Sequence, residues 1–310
     1  MFDPRLLRAF VSISDAGSFT LAAERLHMTQ STISQQLARL EDAVGKPLID
    51  RHSRPLKLTA AGEYLISYAR RILLLQQEAQ NILNDPRGTI PIRIGLPEDI
   101  MNAEMALALG AFTQENRSIR LEVTAGLSRE LMQSYRNGQF DIVIVKETVA
   151  SADHLATFPE QLAWFESLDY AKNWHSPIPL VAFPQGGLYR EEMFEQLERK
   201  RQHWYIAFTG NSLSNVLISV EAGLGLSLLP IATTKNYRVR EYLVFGKVSP
   251  IAVSIYAWDQ EGLIAKLVQQ MTNVLQHRFN EFHLTEPLEK KKKNRESRNG
   301  VSNLFKDIPE

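Results

Sequence analysis

The residues best suited to chemistry in this chain lie between 29 and 39, which read Thr-Gln-Ser-Thr-Ile-Ser-Gln-Gln-Leu-Ala-Arg. Ile33, Leu37 and Leu40 recur at i, i+4 and i+7 and so share one face of a helix. Gln30, Ser31, Ser34, Gln35 and Arg39 then line the other face, which carries no acid until Glu41. Solvated helix faces favour Glu and Lys, whereas this one has the side chains that read base edges. Gln pairs with adenine N6/N7, Ser serves several bases, and Arg suits guanine or phosphate. Thr29 stands where it can cap the helix, and residues 29–32 offer a phosphate the free N–H groups of a helix N-terminus. Arg51 and Arg54 sit on a charged tip, Arg51-His-Ser-Arg-Pro55, between two short extended pieces at 48–49 and 56–58. They fit a wing that touches backbone or minor groove. The expected DNA contacts are Thr29, Gln30, Ser31, Thr32, Ser34, Gln35, Arg39, Arg51 and Arg54. Periodicity alone also allows a plain helical bundle whose Gln/Ser face is merely solvated.

A second set of residues falls at the ends of expected strands. Pro97, Glu98 and Asp99 follow a strand at 90–96, Ser128 follows one at 119–125, and Lys146 follows one at 140–145. Asn211 and Ser212 precede a helix at 212–222. In α/β folds such positions line the ligand crevice. Ser128 and Ser212 can present hydroxyls to an anion, or can be plain helix caps. Glu98 and Asp99 point instead to a cationic or polar ligand, and Asp99 alone also reads as an N-cap.

The elements that must position these residues follow from apolar spacing. Helices are expected at 4–16, 19–26 and from 30 onward, broken by Gly17 and Gly45, with Ser18 as a cap. A long helix opens after Thr59, with Leu65, Ala69, Ile72, Leu75 (or Gln76), Ala79 and Ile82 alternating by three and four, the seam spacing of a dimer. About 25 residues make a rod of roughly 38 Å. Asp85-Pro-Arg-Gly88 ends it and marks the clearest domain boundary. Beyond it strand and helix alternate: strands at 178–183, 203–208, 226–229 and 251–258, and helices at 101–114, 128–137 and 263–282. That rhythm indicates parallel sheet in two α/β lobes. Residues 222–230, Ala-Gly-Leu-Gly-Leu-Ser-Leu-Leu-Pro, read as a helix stop and tight turn, since they lead from helix into strand.

Composition narrows the possibilities. The chain has 310 residues, 35 Lys+Arg against 35 Asp+Glu, and no cysteine. A disulfide scaffold, a thiolate metal site and thiol-based redox sensing are excluded. The seven histidines are scattered without metal spacing, and no nucleophile elbow or P-loop is present, so the expectation is no catalytic residue, no metal and no cofactor. The charged N-terminus lacks a signal peptide's apolar core, and no stretch approaches the ~18 apolar residues of a membrane span. A cytoplasmic protein without a membrane partner is expected. Zero net charge hides segments: 10 basic and 9 acidic residues in 1–85, 18 and 21 in 86–285, 7 and 5 in 286–310. The run Lys290–Lys293 lies in a polar tail that reads as disordered; it either adds non-specific DNA attraction or only solubilises, the latter being favoured.

The N-terminal residues Phe10, Ser18-Phe19, Ala22-Ala23, Leu26, Gln30-Ser31, Ser34, Leu40-Glu41, Gly45, Leu48, Arg51, Leu58-Thr59 and Gly62 fall at the spacing of the LysR-type transcriptional regulators, which this chain resembles. Ile49 departs from the phenylalanine usual there. The resemblance implies an α+β multi-domain protein: a winged helix-turn-helix at 1–59, a dimerising linker helix at 60–88, a two-lobed effector domain shaped like a periplasmic binding protein at 89–283, and a basic tail at 284–310. It further implies an oligomer, a dimer or a tetramer, bound to inverted repeats in double-stranded promoter DNA and answering to a small-molecule effector. A transport solute-binding protein would share only the α/β part and would have no use for residues 1–85.

Overall fold

The computed structural model describes residues 2–84, 89–170 and 174–283. Helix α1 (Pro4–Ala16) is capped by Asp3, whose carboxylate accepts from the Arg5 N–H, and ends at left-handed Gly17. Helix α2 (Phe19–Arg25) starts after Ser18, whose hydroxyl makes no cap bond. Helix α3 (Gln30–Val44) is capped by Thr29 and stopped by left-handed Gly45. Strands β1 (Ile49–Asp50) and β2 (Lys57–Leu58) pair antiparallel, Ile49 opposite Leu58, and form the wing. Leu7, Phe10, Ile13, Ala22, Ala23, Ile33, Leu37, Leu40 and Leu48 make the core of this head. The two alanines let α2 approach its neighbours closely, as their size implies.

Helix α4 (Ala60–Asn84) begins inside the head. A Cβ on Gly62 would lie 2.1 Å from the Leu48 carbonyl oxygen, so only glycine lets α4 approach the chain just ahead of β1 this closely. Ile66 and Ala69 are buried in the head's core, and Leu65 packs against it. Leu65 and Ala69 therefore do not belong to a free seam. Tyr64, Tyr68, Ile72, Leu75, Ala79 and Leu83 form the exposed stripe instead. The expected spacing is present, turned by one residue over the first two turns, because the head claims their inner face. The side chain of Ile82, the boundary 85–88 and the tail from 284 lie outside the described residues.

The first lobe of the sensor is a five-stranded sheet in the order β4-β3-β5-β12-β6. Strands β3 (Ile90–Leu96), β4 (Ile119–Ala125) and β5 (Ile142–Glu147) are parallel. Strand β12 (Ile251–Ala257) runs antiparallel to β5 and to β6 (Ala156–Glu160), so the sheet is mixed where a parallel one was expected. Helices α5 (Ala103–Glu115) and α9 (Gly262–His283) contribute to one core with this sheet, and α6 (Ser128–Arg136) to another through Leu131 and Tyr135. The second lobe pairs β8 (Ile178–Ala182) with β9 (Trp204–Thr209) in parallel. Beside them, β7 (Leu162–Ser167) takes β10 (Ser227–Pro230) and β11 (Val239–Glu241) on its two edges, both antiparallel. Helices α7 (Leu188–Arg199) and α8 (Leu213–Glu221) cover this lobe. Strands β6, β7 and β11 and helix α7 were absent from the sequence reading. The chain crosses between lobes at Gln161, which separates β6 from β7, and returns ahead of β12. Gly223 ends α8 in the left-handed region, and a Cβ on Gly225 would meet the Pro179 carbonyl oxygen at 2.5 Å, which makes 222–230 the expected tight turn.

Candidate functional site

At the head, Thr29 Oγ1 accepts from the Thr32 N–H at 3.2 Å and lies 2.8 Å from the hydroxyls of both Ser31 and Thr32. The first turn of α3 is thus held by three hydroxyls that stay at the surface. Gln30, Ser31, Gln35 and Arg39 are exposed, with Thr32 and Ser34 half-buried among them. Gln36, on the inner edge, donates to Met28 Sδ at 3.8 Å. Seven of the nine expected DNA contacts therefore share one surface. At the wing, Arg51 pairs with Glu41 at 2.8 Å, and the other oxygen of Glu41 accepts from the Leu48 N–H at 2.9 Å. Glu41 thus ties the end of α3 to the wing, a role the sequence did not reveal beyond its place in the motif. The Arg51–Glu41 pair is surface-exposed on the arginine side and so weak enough to yield to phosphate. Arg54 is exposed at the tip. Hydrogen bonds from the Ser53 hydroxyl and the His52 N–H hold the Asp50 carboxyl below the usual carboxylate range, fixing the turn at the tip.

Between the lobes lies a cleft of about 380 Å³. Pro97, Glu98, Asp99, Ser128, Lys146 and Asn211 line it, so six of the seven expected effector residues converge there. Ser212 does not line it; its hydroxyl accepts from the Asn215 N–H and caps α8. Ser128 is not a cap: its Oγ accepts from the Lys146 N–H at 2.9 Å and joins α6 to the end of β5. Asp99 is not a cap either, because Asn102 caps α5.

Asp99 belongs to a buried ion cluster at the floor of the cleft. Lys146 Nζ donates to Asp99, to Glu160 at 2.8 Å and to the Tyr189 hydroxyl at 2.5 Å. Arg278 donates to the Asp99 carbonyl at 2.6 Å and its carboxylate at 3.1 Å, and reaches Glu160 at 3.5 Å. The Lys146 side chain is 3% exposed and that of Glu160 1%, so neither charge can rely on water. Burial alone would raise the Asp99 carboxyl, but Lys146 and Arg278 outweigh it and hold it below the usual value. At Glu160 burial prevails over the same cations and pushes the carboxyl up. Burial, followed by Glu160 and Asp99, keeps Tyr189 protonated, and its hydroxyl donates to Glu160 at 3.1 Å. Tyr189 comes from α7 in the second lobe and Glu160 ends the strand before the crossing, so the cluster spans the hinge. Glu160, Tyr189 and Arg278 were not singled out in the sequence, and no local spacing could have found them: Asp99 and Arg278 stand 179 positions apart.

The head meets the sensor through α4. Arg71 pairs with Asp259 at 3.1 Å and Asp141 at 3.4 Å and lies over the Trp258 ring, which Tyr68 also contacts. Arg70 bridges Asp15 of α1 and Asn137 at the end of α6.

A winged helix-turn-helix joined by a long helix to a two-lobed α/β domain with an interlobe cleft defines a ligand-responsive DNA-binding protein. The sequence matches the bacterial regulatory helix-turn-helix protein of the lysR family over residues 4–63 and the LysR substrate binding domain over residues 85–280. The chain belongs to the LysR family of transcriptional regulators. It is 31% identical over 228 residues to the HTH-type transcriptional regulator PecT of Dickeya dadantii (strain 3937), covering 73% of this chain and 72% of PecT. It is 29% identical over 224 residues to the regulator DgdR of Burkholderia cepacia, covering 72% and 76%. Among solved structures, full-length LysG from Corynebacterium glutamicum with bound effector Arg aligns with a TM-score of 0.57 at 21% identity, covering 88% of this chain and 97% of LysG. ArgP from Mycobacterium tuberculosis aligns with a TM-score of 0.54 at 20% identity, covering 87% and 96%. No helix among the described residues is long and apolar enough to cross a membrane.

Proposed function

We propose that this regulator reads DNA with the N-terminal half of α3, using Thr29, Gln30, Ser31, Thr32, Ser34, Gln35 and Arg39, while Arg51 and Arg54 of the wing hold the backbone. The observation that carries this reading is the exposed, acid-free face of α3 with its hydroxyl-capped first turn, the end that a recognition helix inserts into the major groove. The functional units are 1–59, 60–88 and 89–283, with 284–310 a solubilising tail. Two copies pair along the outer stripe of α4, in the cytoplasm, and a dimer or tetramer so formed binds inverted repeats at promoters. The effector sits in the interlobe cleft, where Pro97, Glu98, Asp99, Ser128, Lys146 and Asn211 converge. Ser212 shapes the cleft from behind as the cap of α8.

The test is a gel shift and footprint on the DNA upstream of the protein's own gene. Gln30→Ala and Ser34→Ala should change which sequence is preferred, at about 1–3 kcal/mol for each lost base contact. Arg54→Ala should weaken all sequences alike. Unaltered sequence preference in both α3 variants would remove α3 from the reading role.

A further inference from the structure

Resting on the effector reading of the cleft, its charge balance specifies the kind of molecule it takes. Four charged side chains line the cleft: Glu98, Asp99, Glu130 and Lys146. Lys146 has nothing left for an incoming anion, since its three N–H bonds go to Asp99, Glu160 and Tyr189. Arg278, behind Asp99, is likewise committed to Asp99 and Glu160. Both cations of that cluster are thus taken up by its own acids and offer the cavity no unpaired positive charge. What remains facing the cavity is Glu98 and Glu130, both exposed and neither in an ion pair among the described residues. The second lobe adds no charge to the lining. Its wall is Phe183, Pro184, Leu188, Tyr189 and Leu213, with the Phe183 and Tyr189 rings 5.5 Å apart.

We propose that the ligand of this cleft carries an organic cation, an amine or guanidinium, on an apolar body. Glu98 and Glu130 supply the counter-charge from the first lobe, and the aromatic wall of the second lobe takes the body. Unpaired carboxylates in a half-enclosed cavity favour a cation and repel an anion, because the low-dielectric walls weaken screening.

The test uses full-length protein and three probes of similar shape: 3-phenylpropylamine, 3-phenylpropanol and 4-phenylbutyrate. Calorimetry and thermal shift should show the amine binding about tenfold or more tightly than the alcohol or the acid. Glu98→Gln with Glu130→Gln should erase that preference, whereas Glu115→Gln, at the far end of α5, should keep it. Acid binding as tight as amine binding, no amine binding at all, or a preference that survives the double variant overturns the proposal. A Gly126→Trp variant, which puts a bulky side chain on the cleft lining, separates the two readings. An acid that wins and is lost in Gly126→Trp overturns the charge class and leaves the cleft as the effector site. An amine whose binding survives Gly126→Trp binds elsewhere and overturns both.

Discussion

Asp99 shows how far a single residue can differ from its local reading. Next to Glu98 it looks like part of an acidic pair or a helix cap, yet its carboxylate neutralises Lys146 and Arg278 in a site closed to water. Leaving those cations short of a carboxylate by Asp99→Asn should cost about 3–5 kcal/mol, read by chemical denaturation. The pH dependence follows from the direction of its shift. The Asp99 carboxyl is held below the ordinary 3.8, so its contribution is fully present above that value and is lost as pH falls through its lower folded value. The gap between wild type and variant should therefore be constant near neutrality and begin to narrow below about pH 3.8; a gap unchanged on acidification would remove the ion-pair account. Lys146 illustrates the same point from the other side. Its position at a strand end was legible, but its commitment to three internal partners was not, because those partners come from β6, α7 and the segment before α5.

At the scale of elements, the head was legible almost residue by residue. Gly17, Thr29 and Gly45 mark its helix limits through local chemistry, which needs no distant partner. Strand β6 was not legible. It alternates as expected, but its buried position is Glu160 and its exposed ones are Thr157 and Pro159, so the apolar signal is missing. Strand β7 likewise buries Glu166 and Ser167. Helix α7 carried a readable signal in Met193 and Leu197, four apart on one buried face. The α4 stripe yields a prediction. Glu in place of Ile72 or Leu75 should shift the protein from dimer to monomer in sedimentation velocity with the head still folded. Glu in place of Ala69, which lies at 0% exposure in the head's core, should instead unfold the head. Dimers that persist in both Ile72→Glu and Leu75→Glu would place the contact elsewhere.

For the whole molecule, net charge zero over 35 cations and 35 anions means that DNA affinity cannot come from bulk attraction. Among the proposed DNA contacts the cations are few: Arg39, Arg51 and Arg54, with Arg51 shared with Glu41. Affinity should accordingly fall with salt along a shallow log–log slope, and Arg54→Ala should reduce that slope by about 0.9, the value of one phosphate contact. A slope unchanged in Arg54→Ala would take the wing tip off the backbone. The contacts of Arg70 and Arg71 place α4 between α1 and the first lobe, so the helix that carries the head also touches a lobe that lines the cleft.

The sequence by itself determined the parts whose physics is local: the helix-turn-helix with its acid-free face, the length of α4, and the strand ends where a ligand would sit. Caps, glycine stops and apolar periods act within a few residues, so they can be read in one dimension. Only the tertiary structure decided which face of α4 stays outside, because the head's core claims Leu65 and Ala69. It also decided the sign of the cleft. That sign depends on Asp99 and Glu160 taking up Lys146 and Arg278 from four separate elements, a balance set by burial and distance that no stretch of sequence contains.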